Sequence, residues 1–215
     1  MNLRLQQALS WLLRDRRAGD ATLAINDPLL AALPRTIELR SDAFAPAGPM
    51  ARAQAGAGVG GDRSPPLEWS PLPAAATHWA LVLEDPDAPL KRAFVHLIAI
   101  GAANVARLAE GALNAENAKD KDYPPRSLRL GRNTMGPPGY AGPRPLPGHG
   151  AHRYAFQLFA LRAAPGDAEL AGGLPALMPF LRREALATGR LDGFYERDWQ
   201  GREIPPVMPA ATPRP

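Results

Sequence analysis

Short apolar runs, each cut off by proline or glycine, are what most limits the fold open to this chain. Thr77 to Glu84, Phe94 to Ile100 and Arg153 to Leu161 are the longest of these runs, and each has the length of a strand. The 25 prolines and 20 glycines follow no collagen-like period; they fall between the runs at intervals suited to strands joined by loops. The reading is a mainly β fold, antiparallel and sandwich-like, with peripheral helices that include one near the C-terminus. With 215 residues, 46% of them hydrophobic, the chain is long enough to bury a core as one domain with tails.

Composition removes several function classes. Without cysteine there is no thiolate nucleophile, disulfide framework or cysteine metal site. No apolar run approaches the ~20 residues a membrane span needs, and the N-terminus has neither a continuous apolar h-region nor a small-residue cleavage site, so a soluble, cytoplasmic protein is expected. The formal charge of +4 favours acidic partners, but the cations are mostly arginines interleaved with 21 acids, which argues against nucleic acid. Gly56 to Gly61 satisfies a dinucleotide fingerprint in form only; lacking a preceding buried strand and a following helix, it reads as a flexible loop.

Three segments organise the chain: residues 1–35 as an N-terminal amphipathic helix and connector, 36–200 as the main domain, and 201–215 as a proline-rich, extended tail. In the first, Leu5, Leu9, Leu12 and Leu13 recur at helical spacing with Trp11 nearby, and three arginines precede Gly19. The stripe has three candidate partners, its own domain, a second subunit in a homodimer, or a peripheral contact of residues 1–19 with an anionic membrane. Thr36 to Ser41 alternates as a first strand, and Ala45 to Arg63 is a small-residue loop. Asn104 to Pro147 is a long surface connection. Leu174, Leu177, Met178, Leu181, Ala185 and Leu186 follow one helical face, with Gly189 as its stop and Pro179 opening or kinking it.

Chemistry concentrates at the ends of the three long runs. The proline-locked turn Asp85-Pro86-Asp87-Ala88-Pro89 holds Asp85 at the mouth of the first. In the second, a period of two places His96 with Phe94 and Ile98, and in the third it places His152, Tyr154, Phe156 and Leu158 together. Two imidazoles, a phenol and a carboxylate then meet. His96, His152, Tyr154 and loop amides around Gly148 are donors suited to a phosphate or carboxylate. Asp85 has two roles open to it: orienting a histidine, or receiving the ammonium of a zwitterionic headgroup. His149, between two glycines, reads as solvent-facing, and Arg153 as an outward or inter-loop ion pair.

These residues resemble a known family. Asp85-Pro86-Asp87-Ala88-Pro89, then His96, then a Gly/Pro-rich loop ending in His152-Arg153-Tyr154 is similar to the phosphatidylethanolamine-binding proteins, in their bacterial Raf-kinase-inhibitor-like branch. Ser64 to Trp69 and Gly139 to Pro143 fit the same framework, so the resemblance runs from about Ile37 to Tyr195. It implies that Asp85, His96, His152 and Tyr154 line a ligand pocket with Pro89 and Pro145 as walls, that no cofactor is needed, and that binding rather than catalysis is the activity. It also implies a protein-inhibitory or signalling role through an unnamed target. Leu146 stands where a second proline is usual, Phe94 replaces a tryptophan and Val95 a histidine, which makes the pocket more apolar. The alternative from a different class is a metal-dependent phosphoester hydrolase with Asp85, His96 and His152 as ligands.

Overall fold

A computed structural model describes residues 2–117 and 128–204; the proline-rich tail expected beyond residue 204 lies outside the described residues. Its centre is built from the three long runs. They form β4 (His78–Asp85), β5 (Phe94–Ala102) and β8 (His152–Leu161), nearly every residue of which is buried. An antiparallel strand reads as continuously apolar only when both its faces are covered, and here both are.

The six-stranded sheet has the order β2-β9-β8-β4-β5-β7, adding β2 (Gly48–Pro49), β7 (Arg129–Gly131) and β9 (Ala185–Tyr195). It is antiparallel except where β2 runs parallel to β9. A small antiparallel sheet, β1 (Leu39–Arg40), β3 (Leu67–Trp69) and β6 (Arg107–Leu108), covers one face. Between the sheets lie Trp69, Trp79, Leu81, Leu83, Leu97, Tyr154, Phe156 and Leu158. The first strand expected over Thr36 to Ser41 shrinks to two residues, because only Leu39 and Arg40 pair with Trp69 and Glu68.

Helices cover the other face. In α4 (Gly173–Glu184), Leu177, Phe180 and Leu181 are buried at i, i+3 and i+4, against Ile98, Ile100, Phe159 and Leu161. Each such side chain contributes about 1.5–3 kcal/mol through its burial. The helix stops five residues before Gly189, with Pro179 inside it, and Ala185 and Leu186 begin β9. Two glycines make this a strand rather than a helical continuation. A Cβ at Gly189 would sit 2.3 Å from the Ile37 carbonyl oxygen, and one at Gly193 2.6 Å from Met50, so bare backbone is needed for chain to cross the sheet here.

The N-terminal segment is more than a connector. After α1 (Leu3–Leu13), residues 20–31 form two 3₁₀ turns and the short α2 (Pro28–Ala31), and Leu23, Ala24, Ile25 and Leu30 enter the helical-side core. The segment is pinned by Glu84, whose Oε2 accepts from the Ala24 N–H (2.8 Å) and the Gln157 amide (2.8 Å), and by Gln157, whose oxygen accepts from the Ile25 N–H (2.7 Å). The small-residue loop after Ala45 is packed rather than flexible: Ala55 is fully buried, and Asp62 accepts from the Gly142 N–H at 2.7 Å.

Candidate functional site

At the end of β4, Asp85 turns toward the small-sheet side and is fully engaged. Its Oδ1 accepts from the N–H groups of Asp87 (2.8 Å) and Ala88 (3.0 Å), closing the turn that the prolines restrict. Its Oδ2 accepts from His152 Nδ1–H at 2.7 Å. Of the two roles left open by the sequence, orienting a histidine is the one this geometry contains.

The histidine chain continues beyond the expected set. His149 is not solvent-facing; it is 3% exposed, and its Nδ1 lies 2.7 Å from His152 Nε2. Its Nε2 lies 2.9 Å from Arg17 Nη1, and Arg17 Nη2–H donates to the His149 carbonyl at 2.6 Å. A carboxylate can only accept and a guanidinium can only donate, so with one proton on each imidazole the two ends fix the direction. Arg17 donates to His149 Nε2, His149 Nδ1–H to His152 Nε2, and His152 Nδ1–H to Asp85. The Leu13 carbonyl, 3.0 Å from His149 Nε2, would require the reverse order. Both nitrogens of His152 are therefore used inside the protein. The glycines flanking His149 suggested exposure because the partner that buries it, Arg17, comes from 132 residues away.

His96 owes its placement to an irregularity. Leu83 pairs with Leu97 and Glu84 with Val95, so His96 is the extra residue of a β-bulge. The bulge breaks the period of two assumed from sequence: His96 stays with Phe94 (ring centroids 4.7 Å apart) and meets Tyr154 (5.2 Å), while Ile98 passes to the helical-side core with Val95. The His96 Nδ1–H donates to the Ala141 carbonyl at 2.5 Å, leaving Nε2 as an acceptor with no hydrogen bond among the described residues.

Asp85, Pro89, Phe94, His96, Arg144, Pro145, Leu146, His152 and Tyr154 line a pocket of about 260 Å³. Gly148 does not line it. Its N–H donates to the Arg197 carbonyl at 2.9 Å, and the positive φ of 73° carries the backbone under Trp199. Arg144 was missed as a site residue, since nothing in the loop sequence sets it apart from the chain's other arginines. It brings a guanidinium to the pocket wall. The Tyr154 hydroxyl is buried and has no hydrogen-bond partner of good geometry, although the Arg144 amide lies near enough to favour the phenolate slightly. Arg153 pairs with Asp20 at 3.2 Å, in the inter-loop ion pair expected of it.

Burial sets the electrostatics. It holds His96 below the ordinary histidine range against the opposing pull of Asp85, and it lowers His149 in the same way. Burial, then the Asp85 charge, pushes the Tyr154 phenol well above its usual range, so it is a donor at neutral pH. Asp85, His96 and His152 do not converge as three ligands would: His152 is bonded on both nitrogens and His96 Nδ1 faces a carbonyl. Among the described residues no group of three His, Cys, Asp or Glu side chains is placed to hold a metal.

The family model described as phosphatidylethanolamine-binding protein matches residues 40–196. The UPF0098 protein Rv1910c of Mycobacterium tuberculosis is 39% identical over 137 residues, 64% of this chain, and the chain spans only 60% of that relative's length. UPF0098 protein YbcL of Escherichia coli is 31% identical over 140 residues, covering 64% of this chain and 73% of YbcL. In structure the chain is similar to crystalline E. coli YbcL, described as a member of the mammalian PEBP family (TM-score 0.67, 26% identity, 74% of this chain and 98% of that one). It is also similar to a phosphatidylethanolamine-binding protein homologue of Chlamydia trachomatis (TM-score 0.63, 30% identity, 75% and 98%). The matched segment contains the acidic turn, the bulged histidine and the His-Arg-Tyr strand start, and with them the chain belongs to the phosphatidylethanolamine-binding protein family.

Proposed function

We propose that the pocket binds, without transforming it, a small phosphate-bearing ligand of the phosphoethanolamine type, either free or as a phospholipid headgroup. The observation that carries this reading is the Tyr154 hydroxyl, a buried donor without an acceptor in a pocket whose wall includes a guanidinium. An unsatisfied buried hydroxyl costs about 1–3 kcal/mol, which a ligand oxygen recovers. Phosphate oxygens would take the Tyr154 and Arg144 donors. The ammonium would sit toward the other end, where His96 Nε2 accepts and Phe94 offers a ring face. Asp85 contributes by holding His152 rather than by touching the ligand. The family's name supports the ligand class.

Calorimetry with phosphoethanolamine and with inorganic phosphate tests this directly, with mass spectrometry on the recovered ligand. Saturable binding that weakens in Tyr154→Phe and Arg144→Ala, with the ligand unchanged, is expected. Binding indifferent to both substitutions sinks the assignment, and a hydrolysed ligand sinks its non-catalytic part.

A further inference from the structure

Helix α1 packs on the domain partly by its polar side. Ser10 is its only buried residue, Gln7 Nε2–H donates to the Trp199 carbonyl at 2.7 Å, and Arg197 donates to Gln6 at 3.2 Å. Leu9 and Leu13 of the stripe are half-buried against the domain, and the rest of the apolar side is left outside. Leu5, Ala8 and Leu12, at i, i+3 and i+7, are exposed together with Trp11; Leu5 is 51%, Trp11 64% and Leu12 68% exposed. A helix that displays two leucines and a tryptophan while burying a serine keeps only part of its apolar surface against its own core.

The charge around this face has one sign in excess. Arg4, Arg14 and Arg16 are exposed beside the stripe, and Asp15, 3.4 Å from Arg14, is the one acid of residues 1–19. The Arg14 guanidinium lies over the Trp11 ring, 5.4 Å from its centroid, so a cation accompanies the exposed aromatic. Leucine inserted below the headgroups, tryptophan at their level and arginine reaching back to phosphates is the pattern of a helix lying in an anionic lipid surface. The backbone holds the helix against the body rather than leaving it tethered. Arg17 grips His149, and the N–H groups of Ala18 and Gly19 donate to the carbonyls of Ala88 (3.0 Å) and Pro86 (2.8 Å).

From this exposed stripe and its arginines we infer that the outer face of α1 docks the protein on an anionic phospholipid bilayer. The inference stands whether or not the pocket takes a headgroup, since none of the stripe residues lines the pocket.

The test is flotation of the full chain with vesicles of phosphatidylglycerol and phosphatidylcholine, compared with phosphatidylcholine alone, while tryptophan emission is followed in a Trp199→Phe background, where Trp11 is the one exposed tryptophan beside buried Trp69 and Trp79. Co-flotation with the anionic vesicles only, a blue shift of that emission, and loss of both at high salt are expected. A double Leu5→Glu, Leu12→Glu variant and a double Arg4→Glu, Arg16→Glu variant should each bind the vesicles at least roughly tenfold more weakly. Circular dichroism and calorimetry with inorganic phosphate show separately whether fold and pocket survive. The inference falls if neither vesicle carries the protein or if both variants float like the parent chain. It also falls if light scattering finds a dimer that Leu5→Glu, Leu12→Glu disperses and no vesicle binding, because a second copy then covers the face.

Discussion

Glu84 and Asp85 are adjacent buried carboxylates on opposite faces of the same sheet, and they have been put to different uses. Glu84 faces the helices. It has two neutral donors, both on Oε2, and borders a groove of about 690 Å³ formed with the N-terminal segment and α4. Burial outweighs those two hydrogen bonds and pushes its pKa from 4.5 to about 7. Asp85 faces the small-sheet side, where two turn amides and a histidine N–H are spread over both of its oxygens. One carboxyl ties a chain segment to the sheet, while the other ends a donor chain that begins in Arg17. The number and direction of the donors, more than burial, separate a structural carboxyl from a site carboxyl.

The largest expected effect breaks the Asp85 side. Asp85→Ala strands two turn amides and the His152 N–H, so unfolding by urea should show a loss of about 3–5 kcal/mol, with ligand binding abolished. Asp85→Asn is the sharper variant. Its oxygen still serves the turn, but its amide faces His152 Nδ1 as a donor, so the chain should reverse and place both histidine protons on Nε2. Imidazole ¹⁵N shifts distinguish the two orders, and unchanged shifts would refute the assigned direction.

On the Glu84 side the expected change has the opposite sign. Because the folded pKa is raised, the folded state holds a proton between pH 4.5 and about 7 that the unfolded chain gives up. The stabilisation from this group is fully present below the lower value and is lost as pH rises through the upper one. Glu84→Gln keeps an acceptor and removes the titration. Its stability relative to the parent chain should therefore climb with pH, by on the order of 3 kcal/mol between about pH 4 and about pH 8. Parallel urea midpoints across that range would show that Glu84 does not titrate as its burial demands.

Two smaller changes refine the contrast. Tyr154→Phe removes a hydroxyl that has no protein acceptor, so stability should stay within about 0.5 kcal/mol or rise, while phosphoethanolamine affinity falls roughly tenfold. A matching loss of stability would mean that the hydroxyl is already satisfied by the fold. Inorganic phosphate binding should also tighten as His96 gains its second proton, with the step below the ordinary histidine range because burial lowers that pKa, whereas phosphoethanolamine, whose ammonium uses Nε2 as an acceptor, should weaken. Calorimetry from about pH 7.5 down to about pH 5 locates the step, and His96→Ala should erase it.

The sequence made the three central strands legible because each is apolar on both alternating sets, and it made Asp85, His96, His152 and Tyr154 legible because they stand at the strand ends. What escaped it depended on contacts distant in the chain. Ala185 and Leu186 read as the end of the helix until Gly189 and Gly193 are seen to give way to Ile37 and Met50. His149 looks exposed until Arg17 is placed over it. The bulge at His96 has no local signature, yet it decides which neighbours that ring has.

The segment before residue 40 lies outside the part matched to the family, yet Leu23, Ile25 and Leu30 are core residues and Arg17 starts the donor chain that ends at Asp85 on the pocket wall. The stretch matched by the family model and the stretch that builds the core therefore do not coincide in this protein. A fragment excised at residues 40–196 would expose the helical-side core, leave Glu84 and Gln157 without the Ala24 and Ile25 amides, and present a binding pocket with one of its supports removed. Measurements on such a fragment would describe a different thermodynamic object from the chain itself.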